Sequence, residues 1–158
     1  MVTLIDDNLL SQSECDMLID YYKKYESFSK KFRDVYPLDL DLRDPNLNFL
    51  KTKLNLISKN FNSEIDWFQI VKWPIDSKQD LHFDSASEKT TLTSIVYLND
   101  NYTGGQTYYE DGTIFKPKKG RGLFFNGQYH KHGVKPVDKN TRYVVASWYK
   151  SNMEANLV

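Results

Sequence analysis

His82 and Asp84 stand two residues apart in a short stretch of alternating character, so in a strand both side chains leave the same face. An imidazole and a carboxylate so placed supply two metal ligands, and a third ligand from a distant strand would complete one triangular face of an octahedron. Two imidazoles with one carboxylate make a mixed nitrogen and oxygen site that suits Fe(II) and leaves three positions open for a bidentate co-substrate and dioxygen. A His-x-Asp pair alone is also an ordinary surface or core-satisfied pair, so the rest of the chain has to decide.

Near the C-terminus, His132-Gly133-Val134 is followed by Arg142-Tyr143-Val144-Val145-Ala146-Ser147-Trp148, which reads as a strand whose even positions share a face. Arg142 and Trp148 then point the same way, into the sheet interior. A buried guanidinium carries a large desolvation penalty unless an anion meets it. A dicarboxylate co-substrate supplies one, gripped through two parallel hydrogen bonds. The other reading is that Arg142 pairs with a protein carboxylate or snorkels to water.

The elements that must position these residues are legible in outline. Ser11 and Glu14 form a capping box, and Cys15, Leu18, Ile19 and Tyr22 follow at helical spacing, predicting a helix over 12–26. Asp44-Pro45 starts a second, with Leu47, Leu50, Leu54, Ile57 and Phe61 on one face. Residues 27–43 show no clear period and read as a loop, with room for a short strand. From Asp66 the period becomes two, with strands expected at 66–73, 80–84, 91–98, 105–110, 113–116, 121–125, 131–135 and 142–150. Turn residues such as Gly104-Gly105 and Asp111-Gly112 separate them. The expected fold is mainly β with N-terminal helices: a double-stranded β-helix, a cupin-like jelly roll, supported by two helices. The expected organisation is one domain over 1–158, with helical support in 1–63 and the β-helix core in 64–150.

Composition removes several classes. With 21 Lys plus Arg against 21 Asp plus Glu, no overall positive field draws the chain to nucleic acid or an anionic membrane. Cys15 is the sole cysteine, which excludes an internal disulfide framework and a multi-thiolate zinc site. No apolar run approaches the roughly 20 residues of a membrane span. The expectation is a soluble, intracellular, cytoplasmic protein; its oligomeric state is not legible.

Taken in order, His82-Phe83-Asp84, Ile95-Val96-Tyr97-Leu98-Asn99, Gly104-Gly105, Gly122-Leu123-Phe124-Phe125, His132-Gly133-Val134, Arg142 and Trp148 resemble the 2-oxoglutarate- and Fe(II)-dependent oxygenases, in particular the catalytic domain of the prolyl 4-hydroxylase type. The likeness covers about residues 64–150. It implies that His82, Asp84 and His132 hold iron and that Arg142, ten residues after His132, binds the C5 carboxylate of 2-oxoglutarate. It implies further co-substrate contacts at Tyr97, with Thr107, Val134 and Trp148 on the pocket wall. The implied activity is hydroxylation of a C–H bond, foremost on a prolyl residue of a peptide or protein, with 2-oxoglutarate and dioxygen becoming succinate and carbon dioxide. The resemblance also admits ascorbate as an accessory. Asp84 as a ligand favours hydroxylation over halogenation, because halogenating relatives lack that carboxylate.

Departures and alternatives stand beside this reading. Trp73 occupies roughly the place where many prolyl hydroxylases have a tyrosine near the co-substrate, and it offers only an indole N–H. His130 competes with His132 for the metal, but the Gly and Val after His132 and its spacing to Arg142 favour His132, leaving His130 a mouth or supporting residue. Lys116, Lys118, Lys119 and Arg121 read as a solvated turn. Tyr102, Tyr108 and Tyr109 read as sheet packing, with Tyr109 able to line the mouth, and Arg33, Tyr36 and Asp39 belong to the loop that approaches the substrate in relatives. The same chemistry on lysyl side chains, a free amino acid or a modified base is a second reading. A non-catalytic jelly-roll module holding another metal such as zinc is a third.

Overall fold

The computed structural model describes residues 3–84 and 88–153. The first helix, α1, runs Gln12–Tyr25, and both halves of its capping box form: the Ser11 hydroxyl accepts from the Glu14 N–H at 3.1 Å, and the Glu14 carboxylate accepts from the Ser11 N–H at 2.8 Å. The second, α2, runs Asn48–Ser58 between short 3₁₀ turns at Pro45–Leu47 and Lys59–Phe61, and the Asp44 side chain caps the first of these turns. Cys15, Leu18 and Tyr22 of α1 and Leu50 and Leu54 of α2 are all buried.

Among the described residues twelve strands follow or flank the helices: β1 (Leu4–Asp6), β2 (Tyr36–Asp39), β3 (Ser63–Trp73), β4 (Gln79–His82), β5 (Thr90–Tyr97), β6 (Thr103–Gly104), β7 (Thr107–Tyr109), β8 (Ile114–Phe115), β9 (Gly122–Phe125), β10 (His132–Val134), β11 (Val137–Asp138) and β12 (Arg142–Ser151). All eight expected strands are present with shifted ends, and β1, β6 and β11 are additions. β2 is the short strand for which the 27–43 stretch left room. It lies on a sheet edge beside β3, where the missing N–H of Pro37 costs no inner ladder bond.

The strands form a six-stranded antiparallel sheet in the order β1-β9-β5-β12-β3-β2, a four-stranded sheet in the order β4-β10-β7-β8, and the pair β11-β6. The large sheet is covered on both faces, which explains why its central strands read as near-continuous apolar runs; all four residues of β9 are buried. One face packs Leu92, Val96, Phe124, Val145 and Tyr149 against the helices. The other packs Tyr97, Leu123, Phe125, Val144 and Ala146 against Tyr109, Phe115 and Val134 of the smaller sheet. The even positions of β12 therefore face the second sheet, as the spacing predicts. Among the described residues no helix is long and apolar enough to cross a membrane.

Candidate active site

In the smaller sheet the antiparallel register of β4 and β10 sets His82 directly opposite His132, with ring centres 4.4 Å apart. Each Nδ1 lies 2.9 Å from the backbone carbonyl two residues earlier, Asp80 for His82 and His130 for His132. An N–H at Nδ1 turns each Nε2 inward as the free ligand atom, the usual way a supporting hydrogen bond fixes tautomer and ring orientation. Both Nε2 atoms converge on Asp84 Oδ1, at 3.7 Å for His82 and 3.2 Å for His132. The three potential ligand atoms all lie within 4.8 Å of one another.

Asp84 departs from the expected strand, because β4 ends at His82. Two hydrogen bonds replace the ladder. The Asp84 N–H donates to the Gly127 carbonyl at 2.9 Å, and Thr93 Oγ1 donates to Oδ2 at 2.7 Å, leaving Oδ1 toward the histidines. A side chain at position 127 would place its Cβ 1.9 Å from Asp84 Oδ2, so glycine is required for this close approach. Burial pushes the Asp84 carboxyl up, but contacts with His132 and Thr93 outweigh it and leave the group below its ordinary range. Burial pushes His82 down, against the pull of its bond to the Asp80 carbonyl. An ionised carboxylate and a neutral imidazole are the ligand forms a metal needs. The donor set fits Fe(II).

Arg142 opens β12 opposite Trp73, on the inner face and 1% exposed. Its guanidinium carbon lies 4.8 Å from the Trp73 ring centre and 5.5 Å from that of Tyr97. Nε, Nη1 and Nη2 have no hydrogen-bond partner. No protein carboxylate answers this charge among the described residues, and its near-complete burial excludes snorkelling. The Trp73 indole N–H and the Tyr102 hydroxyl are also buried without partners. Burial pushes the Tyr102 phenol up, against the pull of the nearby Arg142 charge. The Tyr97 and Thr107 hydroxyls bond each other at 2.6 Å, and Val134 sits opposite Thr107. A carboxylate fits here.

The other sequence candidates fall apart from these clusters to differing degrees. Trp148 shares the inner face but lies six residues along β12 from Arg142, roughly 20 Å of strand. It stacks on Trp67 with centres 3.9 Å apart and stands opposite Thr93, so it borders the metal end and not the guanidinium. His130 contributes its carbonyl to His132 while its ring stacks on Tyr109. Tyr109 itself is buried in the core, with its hydroxyl bonded to Thr3 at 2.7 Å, so it does not line a mouth. Tyr36 and Asp39 belong to β2, while Arg33 turns the Phe32–Val35 bridge with φ 55°. Within the basic run, Lys119 pairs with Asp16 and Arg121 with Asp7. Sequence reading missed Thr93, Gly127 and Tyr102; the Asn126-Gly127 dipeptide was the one available turn signal. A separate surface concavity lies between α1 and the loops carrying Asn99 and Thr141.

A facial cluster of two histidines and an aspartate, with a buried unpaired guanidinium on the same double-sheet scaffold, defines a class. A family model for the 2OG-Fe(II) oxygenase superfamily matches residues 68–150, and the chain belongs to that superfamily, whose chemistry uses Fe(II), 2-oxoglutarate and dioxygen. Over 64 residues the chain is 38% identical to human prolyl 3-hydroxylase 2, a match covering 36% of this chain and 9% of that protein. The viral collagen prolyl hydroxylase of Paramecium Bursaria Chlorella virus-1, in its 2-oxoglutarate complex, shares the fold with a TM-score of 0.79 at 20% identity, covering 96% of each chain. A Trichoplax adhaerens prolyl hydroxylase in complex with a hypoxia inducible factor peptide fragment gives 0.78 at 19% identity, covering 98% of this chain and 86% of that one. A Pseudomonas putida prolyl-4-hydroxylase gives 0.75 at 15% identity, covering 94% and 92%.

Proposed function

We propose that this protein hydroxylates a C–H bond of a prolyl residue in a peptide or protein, with His82, Asp84 and His132 as the Fe(II) ligands and Arg142 as the anchor for the distal carboxylate of 2-oxoglutarate. The observation that carries the reading is the buried, unpartnered guanidinium on the face that the large sheet turns toward the smaller sheet, which supplies two of the three clustered ligand atoms. A metal-binding jelly roll without a dicarboxylate co-substrate has no use for that charge, whose burial without an anion is costly. The bound metal supplies activation of dioxygen. The chain's own residues place the partners: Thr93 and Gly127 fix the Asp84 carboxylate, the Asp80 and His130 carbonyls fix the imidazoles, and Arg142 fixes the far end of the co-substrate. The proline substrate is supported by the prolyl hydroxylases among the relatives and neighbours.

Anaerobic titration of the apoprotein with Fe(II) and then 2-oxoglutarate tests the site. The expected result is a weak visible charge-transfer band, lost in Asp84→Ala and lost or shifted to far higher 2-oxoglutarate in Arg142→Ala. Unchanged bands in both variants sink the assignment. Succinate release with proline-containing peptides, and the position of the new hydroxyl on the ring by mass spectrometry and amino-acid analysis, test the substrate. Succinate coupled to lysyl or free amino-acid substrates alone overturns the proline reading.

A further inference from the structure

Five of the eight buried side-chain atoms without a hydrogen-bond partner, counted among the described residues, belong to one cluster: the three nitrogens of Arg142, the indole nitrogen of Trp73 and the Tyr102 hydroxyl. Buried donors are nearly always paired, so five together mark the place of an absent acceptor. Trp73 is 7% exposed and stands opposite Arg142 in the β3–β12 register, so both side chains lie on the same inner face. Tyr102 approaches from the β5–β6 connection. Gly105, in the left-handed region at φ 65°, lets it come close: a Cβ there would lie 2.8 Å from the Tyr102 ring and 3.1 Å from Arg142 Cδ.

We infer that Trp73 and Tyr102 complete the clamp on the distal carboxylate of the co-substrate, donating the indole N–H and the phenol O–H to oxygens already held by Arg142. The inference rests on the reading of the Arg142 end as the 2-oxoglutarate site. A carboxylate presents about four lone-pair sites, and the guanidinium fork fills two of them. The remaining two match the two unpartnered donors. Tyr97 and Thr107 are less free, because their 2.6 Å bond already commits one of their two hydroxyl hydrogens. Trp73 is a specificity residue in this arrangement. Its donor is left unpaired by any 2-oxo acid with a neutral tail, and a site built around hydrogen-bonding groups rejects such analogues strongly.

Anaerobic calorimetric titration of the Fe(II)-loaded protein with 2-oxoglutarate, and separately with 2-oxopentanoate, tests this. The second ligand keeps the 2-oxo acid and replaces the distal carboxylate with a methyl group. Trp73→Phe keeps an aromatic ring beside the guanidinium and removes the N–H, so it should bind 2-oxoglutarate roughly ten- to a hundredfold more weakly while 2-oxopentanoate changes by less than about twofold. Tyr102→Phe, which keeps its ring, should show the same selective loss and carries the test if the tryptophan variant does not fold. Arg142→Ala should likewise weaken binding of 2-oxoglutarate and not of 2-oxopentanoate, which has no distal carboxylate to lose. Parent-like 2-oxoglutarate binding in Trp73→Phe and Tyr102→Phe, with binding lost in Arg142→Ala, overturns this inference and leaves the site reading intact. Equal losses for both ligands also overturn it, because they mark a packing role. Unchanged binding in all three variants sinks the underlying site reading too.

Discussion

Thr93 and Gly127 touch no metal or substrate atom in the proposed site, yet they decide where the Asp84 carboxylate sits. Thr93→Val removes the 2.7 Å bond to Oδ2 while keeping shape, and Fe(II) affinity should fall by roughly ten- to a hundredfold, read by anaerobic titration. Gly127→Ala should do at least as much harm, because its Cβ would occupy the carboxylate's place. Parent-like iron binding in both variants would show that Asp84 is not held this way. Proton linkage gives a second expectation. The folded state depresses His82 below its ordinary value of 6.5, so the unfolded chain binds its proton more readily and metal-free stability falls as pH drops through that value. Asp84 is depressed from 3.8, so its contribution is present above that value and is lost only in more acidic solution. Between pH 7 and pH 5 the melting temperature of the apoprotein should therefore fall through His82, and His82→Gln should flatten the fall. An unaltered pH slope in that variant would contradict the linkage.

The two helices are secured to each other as well as to the sheet. Glu14 closes the capping box with Ser11 and pairs with Lys53 of α2 at 2.6 Å. Ser11→Ala should lower stability by about 1 kcal/mol in urea unfolding, the ordinary cost of losing such a cap. Both helices were legible because capping chemistry and a 3.6-residue period are local signals. The eight core strands were legible for the same reason, as was the shared face of Arg142 and Trp148. β1, β6 and β11 were not, since the readable alternation does not extend over them and their pairing is set by distant strands, while β2 fills the room left for a short strand in 27–43. The site divides along the same line. His82 and His132 could be named from the ordered pattern, but the departure of Asp84 from β4 depends on a hydrogen bond to Gly127, 43 positions on, which leaves no periodic trace. The face of Trp148 was legible and its neighbours Trp67 and Thr93 were not, because alternation gives the face of a strand and not the neighbours along it.

At the scale of the whole molecule the large sheet carries Arg142 and Thr93 of the proposed site on the face toward the smaller sheet and its helical support on the other, so ligand binding and helix docking bear on the same strands. Cys15 reports on that connection. It is fully buried on the inner face of α1, its thiol faces the Tyr97 carbonyl at 3.9 Å, and burial pushes its pKa up to about 11. A thiol reagent at pH 8 should find almost no thiolate in the native protein and should react only through opening. Leu18 and Tyr22 flank Cys15 on the same buried helix face and bind α1 to the sheet, so the opening that frees Cys15 is expected to be global unfolding. Iron and 2-oxoglutarate bind only the folded state, and at a hundred times the dissociation constant they stabilise it by about 2.7 kcal/mol. Anaerobic labelling of Cys15 under those conditions should therefore slow by roughly a hundredfold relative to the apoprotein. If the rate does not change with ligand, α1 lifts from an otherwise intact sheet, and the helical layer is energetically separate from the proposed site formed by His82, Asp84, His132 and Arg142.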